Sequence, residues 1–345
     1  VLFSDRLEDK LAPPPGGKLD DDDRGSALVT PAAPGRPDRL KMVLGSSSGS
    51  TAGSSPAPAA HEIDDDAHRG RLLHFFANHE LLATELMALV LLKFPDAPAE
   101  FRRGVVRTLR DEQLHTQLYL DRMAACGVGF GDHPVNGFFW NCVAPMESPL
   151  DYVTRLSLTF EQANLDFSRH FGEVFARSGD DLSAALLQRI YRDEIAHVGY
   201  GLRWFRRWKE DPSESDWDAY RKRLVLPLSA ARAKGIPPLN REGRKAAGLD
   251  DDFIRRLSVF SQSRGRTPNV YWFNPDAEAF AGDPAHHPSA AALDLQHDLA
   301  PIVAQLARSD DVALVPEPPS VQFLTTLQQA GLNIPEFVAE SHASG

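Results

Sequence analysis

Apolar positions recur at helical spacing from about His68 to Phe94, in a stretch rich in Leu, Ala and Glu with no Pro and with Gly70 as its only glycine. That pattern predicts a long helix. "FPDAP" (94–98) stops it, and the pattern resumes from Ala99 to Ala125. "GVGFGDHPVNG" (127–137) reads as a loop. Ser148 followed by Pro149 is an N-cap with Pro at the first helical position, so a third helix should start there and run to about Arg177. "SGDD" turns the chain, a fourth helix runs from about Asp181 to Lys209, and "EDPSESD" ends it. Each helix would be about 40 Å long.

Two short-turn hairpins joined by a longer crossover make a ferritin-type four-helix bundle, placed at 66–210. Residues 1–65 have little helical signal. "APPPGG", "PAAPGRP" and "GSSSGSTAGSSPAPAA" predict an irregular arm with a flexible linker around 45–60, although "LFSDRLEDKL" is amphipathic enough to lie along a surface. Residues 211–267 read as short helices packing on the bundle. At 268–345 the signal changes: "NVYWFN" (269–274) and "DVALVP" (311–316) look like buried strands, each followed by a helical stretch. That order predicts a small α/β unit, so the fold expected is mainly α with a C-terminal α/β appendage.

Composition narrows the function. A net charge of −11 argues against nucleic acid or an anionic membrane as the main partner. Two cysteines, Cys126 and Cys142, with no CxxC make a disulfide framework or thiolate metal site an unlikely design. The reducing cytoplasm is then the expected compartment. The longest apolar run, Leu81 to Leu92, is interrupted by Glu85 and reads as too short and polar to span a bilayer, and the N-terminus has no signal-peptide pattern.

"RDEQLH" (110–115) and "RDEIAH" (192–197) repeat one tag. Residues three apart share a helix face, so Glu112 pairs with His115 and Glu194 with His197. Leu109 and Tyr119 flank the first pair and Leu187 and Ile190 precede the second, which puts both on core-facing stripes. Carboxylates there are costly unless paired or metal-bound. Hairpin depth locates further carboxylates on the other two helices. Glu112 lies about 15 residues past its turn, so its neighbour should sit near 81, and Glu80 fits; the neighbour of Glu194 should sit near 164, and Glu161 is the nearest inward carboxylate. Glu112 to Glu194 is 82 positions and Glu80 to Glu161 is 81, as in two copies of one hairpin related by a pseudo-twofold axis. Glu85 competes with Glu80, but it breaks the repeat and lies about 140° round the helix.

One Glu from each of two helices and Glu-x-x-His from each of the others is the two-metal carboxylate pattern. The candidate ligands are Glu80, Glu112, His115, Glu161, Glu194 and His197, with Glu112 and Glu194 bridging. Four carboxylates balance two divalent cations, and imidazole with carboxylate suits two Fe ions, with Mn or a mixed Fe/Mn pair as alternatives. A metal-bound His needs an acceptor for its other ring N–H, so Asp111 is expected to reach His197 and Asp193 to reach His115 across the axis. Arg110 and Arg192 then pair with carboxylates or stay solvated. A lone ExxH is usually a solvated face; two copies with depth-matched Glu residues are not. His74, His79 and His170 read as core or surface histidines, "HFF" and "WFRRW" as packing aromatics, and "DDDD" (20–23) as a solvated run.

With these residues in view, "HELLATEL", "RDEQLH", "FEQANLD" and "RDEIAHVGYGLRWF" resemble the ferritin-like di-iron superfamily, and more closely a bacterial ferritin-like family filed as a domain of unknown function. "LEDKLAPP", "PAAPGRP" and "PLNREGRKAAG" resemble that family's flanks, so the likeness covers roughly 1–250; "ANHELLATEL" departs from its usual helix-1 wording but keeps the Glu. Residues 268–345 resemble the preATP-grasp domain that precedes ATP-grasp ligase cores, through "VYWFNPDAEAF", "DDVALV" and "LQQAGLNIPEFV". No such core follows: it lies on a missing C-terminal part, or the domain is a remnant. The resemblance implies a di-metal site without choosing a reaction. The leading expectation is an oxidase or oxygenase that activates O2 to oxidise a small organic substrate in a biosynthetic pathway. The alternatives are an iron-handling ferroxidase or store, and a non-catalytic, metal-stabilised partner of an ATP-grasp enzyme. An oligomer is compatible with each.

Overall fold

The computed structural model describes residues 1–13, 25–42, 63, 65–225, 228–259, 269–283, 285–309 and 311–340. The linker expected around 45–60 and the acidic run at 20–23 lie outside them. The protein is mainly helical, with a small parallel three-stranded sheet. It divides into two compact units, one of Val1–Arg223 with Gly235–Leu249 and the other of Leu224–Lys234 with Asp250–Gly345. The sequence-based boundaries at 65, 210 and 267 therefore do not coincide with those of the units: the arm, α8 (Asp216–Lys222) and α9 (Arg241–Ala246) all fall in the first.

The first unit begins with α1 (Leu7–Leu11), a short helix in the arm. Then come α2 (Asp66–Lys93) and α3 (Ala99–Ala125), packed as a hairpin. The side chain of Asp65 caps α2 by accepting from the His68 amide at 2.9 Å. After α4 (Phe138–Val143), the third long helical segment starts at Ser148, whose hydroxyl and Asp151 form a capping box with Pro149 in the first turn. It runs as α5 (Pro149–Tyr152), a π-helical stretch (Val153–Glu161) and α6 (Gln162–Arg177). Gly179, at φ +77°, closes it in the left-handed conformation that favours glycine, and Asp180 caps α7 (Asp181–Trp208) by accepting from the Ser183 amide. Helix α7 packs on α6, on the π-helical stretch and on α3. Leu72, Leu73 and Phe76 of α2, Tyr119 and Met123 of α3, Phe171 and Phe175 of α6, and Leu187 and Ile190 of α7 join in one buried core.

Helix α2 is buried on every side from Glu80 to Val90. It packs on α3 and α4, and the arm bonds to its C-terminal end and to α4. Leu28 N donates to Leu92 O at 2.9 Å, Lys93 Nζ to Thr30 Oγ1 at 2.8 Å, and Trp140 Nε1 to Ala32 O at 3.0 Å. Burial all round requires an apolar helix. By length and composition alone α2 could cross a membrane, with a mean hydropathy of 1.4 over its most apolar window; 78% of that window is buried inside the protein, as in a core helix. This differs from the expectation that no run here was apolar enough.

The second unit holds α10 (Asp251–Ser258) and then β1 (Val270–Trp272), α11 (Ala277–Gly282), α12 (Ala290–Leu299), β2 (Val312–Val315), α13 (Val321–Gln329) and β3 (Glu336–Ala339). The strands are parallel in the order β1-β2-β3, with Val270 opposite Val312 and Val312 opposite Glu336. Strand β2 is buried as expected. Strand β1 is not: as an edge strand it leaves Val270 60% and Trp272 51% exposed. Strand β3 adds an edge that the hydrophobic pattern had not marked.

Candidate metal centre

Four helical segments each deliver a carboxylate to one buried place. Glu80 comes from α2, Glu112 and His115 from α3, Glu161 from the last position of the π-helical stretch, and Glu194 and His197 from α7; all six are buried. The two ExxH pairs sit inward because α-helical periodicity puts i and i+3 on one face. Glu161 reaches the site by a different route. A π turn bonds i to i+5, which underwinds the helix locally and shifts the face that it presents to the neighbours. Thr159 Oγ1 follows that spacing, donating to Thr154 O at 2.8 Å. Helix α7 approaches this stretch so closely that a Cβ on Gly201 would lie 2.2 Å from Ser157 Cβ, and a Cβ on Gly104 would meet the Tyr200 ring at the same 2.2 Å. Glycine inside a helix costs about 1 kcal/mol relative to Ala, and close approach is what these two gain.

The side chains converge with their donor atoms facing one another. His115 Nδ1 lies 3.6 Å from Glu112 Oε2 and 3.8 Å from Glu80 Oε2. His197 Nδ1 lies 3.0 Å from Glu112 Oε1 and 3.7 Å from Glu194 Oε2. The ring centroids are 5.9 Å apart. Two groups can each hold a metal ion: Glu80, Glu112, His115 and Glu194 in one, and Glu112, Glu161 and His197 in the other, with donors within 4.8 Å of one another. Glu112 belongs to both groups. Glu194 groups with His115 while staying 3.7 Å from His197.

Seven buried atoms of this cluster have no hydrogen-bond partner among the described residues: both oxygens of Glu112 and of Glu161, Glu194 Oε2, and Nδ1 of His115 and His197. The 3.0 Å contact between His197 and Glu112 is close, yet misdirected for a hydrogen bond. Unpaired buried polar atoms cost about 1–3 kcal/mol each, so seven would together cost as much as the whole stability of a typical domain. Cations among the carboxylates remove that cost. Both imidazoles turn Nδ1 to the carboxylates because Nε2 is engaged elsewhere. His115 Nε2 meets Asp193 Oδ2 at 3.0 Å, and His197 Nε2 meets Asp111 Oδ2 at 3.2 Å. These bonds cross between α3 and α7 in the sense expected from the repeated tag. They fix each ring with its inner nitrogen presented to the cluster.

The electrostatics of the metal-free cluster are dominated by burial. Burial lifts Glu80 well above the ordinary carboxylate range, and the neighbouring Glu112 adds to it. It lifts Glu161 from 4.5 to about 8, against an opposing pull from His197 and with added repulsion from Glu194 and Glu112. Glu194 is raised by burial too. Glu112 goes the other way, because contacts from Glu80, His115 and His197 outweigh its own desolvation. Desolvation pulls both imidazoles down. Asp193, Glu112 and Glu80 overcome it at His115, and Asp111, Glu112 and Glu194 overcome it at His197, so both end well above the usual range. Without cations, then, protons do the work of neutralising the site.

Glu85, the competing candidate on α2, is elsewhere. Lys10 Nζ meets its Oε1 at 2.9 Å and Arg36 Nη2 its Oε2 at 2.7 Å, all three side chains being buried. His74 accepts from the Gly131 amide at 3.0 Å, and burial lowers it to about 4. His79 stacks on Phe139 at 4.5 Å and is likewise lowered to about 4 by burial. His170 lies edge-on to Phe171. Two residues near the cluster escaped the sequence reading. Asn164 Nδ2 donates to Glu194 Oε1 at 2.7 Å, at the depth where a neighbour of Glu194 was sought. The hydroxyl of Tyr119, fully buried, has no hydrogen-bond partner among the described residues, and the charges of Glu80, Glu194 and Glu112 add to the burial that raises it well above its usual range. One helical turn beyond His115 it had read only as a core aromatic. Among the arginines of the tags, Arg192 Nε donates to Gln188 O, while Arg110 Nε is buried with no hydrogen-bond partner among the described residues. Cys126 and Cys142 are both buried.

Fold and site together define a helical protein with a buried carboxylate–histidine cluster able to hold metal ions. The family model described as "Protein of unknown function (DUF455)" matches residues 9–255, and the chain belongs to that family. The match spans the whole of the metal centre. No curated protein and no solved structure matches the chain.

Proposed function

We propose that α2, α3, the α5–α6 segment and α7 form a ferritin-type four-helix bundle around a two-metal site, and that the protein is a di-iron oxidase or oxygenase acting on a small organic substrate. The observation that carries this reading is the set of seven unpartnered buried atoms, all on Glu and His and all facing one another. Among the described residues, no Lys or Arg pairs with Glu80, Glu112, Glu161 or Glu194, whereas Glu85 on the same helix receives two. A protein that neutralises one buried carboxylate with its own cations and leaves four without them is built for cations from outside.

Glu80 with His115 and Glu161 with His197 would each hold one iron, with Glu112 and Glu194 shared. When bound, the iron pair supplies the electrons that ground-state O2 requires for reduction. Asp111 and Asp193 hold the imidazoles in register, and Asn164 orients Glu194. The high proton affinity of Glu80 and Glu161 gives the site carboxyl groups that release protons as metal enters and take them up as it leaves.

The test is anaerobic loading with Fe(II), metal quantification and then O2 uptake. About two irons per chain, and repeated O2 consumption only with an organic substrate and an electron donor, are expected. Iron oxidation with mineral growth and no substrate dependence would point to iron handling. Protein that carries only zinc from its native source and is silent to O2 would point to a structural metal in a partner of an ATP-grasp enzyme.

A further inference from the structure

Two buried arginines outside the cluster hold matching positions. The 81-residue step that relates Glu80 to Glu161 also relates Glu85 to Asp166. Both of these second carboxylates are buried. Each lies five residues after a cluster glutamate, about 140° round the helix from it and so on the side turned away from the cluster. Each is gripped by one arginine from a flank of the bundle. Arg36 donates Nε to both oxygens of Glu85, at 3.0 and 3.1 Å, Nη2 to Oε2 at 2.7 Å, and Nη1 to Asn78 Oδ1 on the same helix at 3.1 Å. Arg244 donates Nη1 to Asp166 Oδ1 at 2.7 Å and Nη2 to Oδ2 at 2.9 Å. Both arginines are buried. A planar fork of this kind fixes a carboxylate in direction as well as distance.

Each flank also reaches the partner helix of the same hairpin. Gln113, next to Glu112 on α3, donates Nε2 to Lys10 O at 2.6 Å and to Ala12 O at 2.9 Å, while Lys10 Nζ meets Glu85 on α2. Asn240 donates Nδ2 to the Tyr191 hydroxyl on α7 at 3.0 Å and to Leu165 O on α6 at 3.1 Å, and its amide donates to Asp166 Oδ1 at 2.7 Å. The N-terminal arm therefore ties α2 to α3, the pair that carries Glu80 and His115. The segment around α9 ties α6, which begins directly after Glu161, to α7, which carries His197. The two flanks are unlike in sequence and in structure, one an irregular arm and the other a short helix with its cap. The repeat of the hairpin does not supply them, yet each brings a forked arginine to the same place on its hairpin. A well-packed apolar pair is often as stable as a buried ion pair, so stability alone is a poor reason to build this brace twice.

Position is a better one. Ligands work only when held within about 0.5 Å of their place. A helix that turns on its axis moves every side chain it carries, so a carboxylate pinned on the outer face holds the glutamate on the inner face. Resting on the two-metal reading, we infer that Arg36 and Arg244 are paired positioning residues, each setting one half of the metal centre. Arg36, through Glu85, sets the half formed by Glu80 and His115; Arg244, through Asp166, sets the half formed by Glu161 and His197.

The test titrates the metal-free full chain with Co(II) and follows, by proton NMR, the paramagnetically shifted imidazole N–H signals of His115 and His197, one for each half. Their loss in His115→Gln and His197→Gln assigns them. Arg36→Lys keeps the charge and loses the fork. It should raise the Kd read at His115 about tenfold and leave that read at His197 within about twofold, and Arg244→Lys should do the reverse. Gln113→Met and Tyr191→Phe cut an outer bond of each brace without touching a buried charge, and should repeat the pattern at about threefold. An equal loss at both histidines would mark a purely structural role and overturn the inference, as would no change in any variant or a loss at the opposite histidine. A parent chain with fewer than two cobalt sites removes the two-metal reading and the inference with it. A parent with both sites and variants that do not discriminate between them removes the inference alone.

Discussion

Replacing Glu161 by Gln should reverse its effect on stability according to whether metal is present. Burial lifts the Glu161 carboxyl from 4.5 to about 8. A carboxyl raised in this way is stabilised in the folded state only while it is protonated. Its contribution is fully present below pH about 4.5 and is lost as pH climbs towards 8. Each factor of ten in proton affinity is worth 1.36 kcal/mol, so the full span is about 5 kcal/mol and the part lost by pH 7 is about 3 kcal/mol. Gln keeps the shape and never ionises. In metal-free protein Glu161→Gln should therefore match the parent near pH 5 and exceed it by up to about 3 kcal/mol at pH 7. With metal bound the order should invert, because the variant has lost a ligand. Urea unfolding followed by tryptophan fluorescence reads the right part of the molecule, since Trp140, Trp204, Trp208 and Trp217 all lie in the unit that carries the site. A parent-to-variant difference that stays flat from pH 5 to 8 in metal-free protein would refute the reasoning, as would metal-free parent protein that gains stability over that range relative to the variant.

Other outcomes follow from single contacts. On the two-metal reading, Asp111→Asn and Asp193→Asn should each weaken metal binding about 10–100-fold in competition with a chelator, with helical content unchanged, because each aspartate orients an imidazole that would hold the metal. Glu85→Ala should lower stability by about 3–5 kcal/mol by stranding Lys10 and Arg36, yet leave metal content at the parent level, whereas Glu80→Ala should lose metal. Gly201→Ala should destabilise by about 1–3 kcal/mol despite the better helix propensity of Ala, and Ser157→Gly in the same chain should recover most of the loss by clearing the clash.

What could be read from the sequence depends on the range over which each feature is determined. The pairing of Glu112 with His115, and of Glu194 with His197, depends only on helical period, which a short window reveals. Helix ends were legible for the same reason: Ser148, Pro149 and Gly179 act on their own turns. Depth across a hairpin is a longer-range property, and the estimate assumed uniform α-helices. It pointed to residue 164, where Asn164 bonds Glu194, while Glu161 gains its place from a π-helical stretch that residue periodicity does not announce. Strand β1 spans three residues, too few for alternation to tell an edge from an interior, so an exposed edge read as buried.

The arm marks where sequence reasoning stops. Lys10 and Arg36 look like ordinary surface cations in a Pro- and Gly-rich segment, and only their meeting with Glu85 gives them a role. That meeting also separates two glutamates that sequence alone presents as rivals. Glu80 and Glu85 sit five residues apart on one buried helix, and a helix has no intrinsic reason to treat them differently. Their distinction lies in the cations each can reach: Glu85 is neutralised from within the chain, while Glu80 faces Glu112 and His115 across a cluster whose charge the chain does not cancel. The 81-residue spacing to Glu161 selects Glu80 because a repeated hairpin repeats its inward face, but it carries no trace of what occupies Glu85.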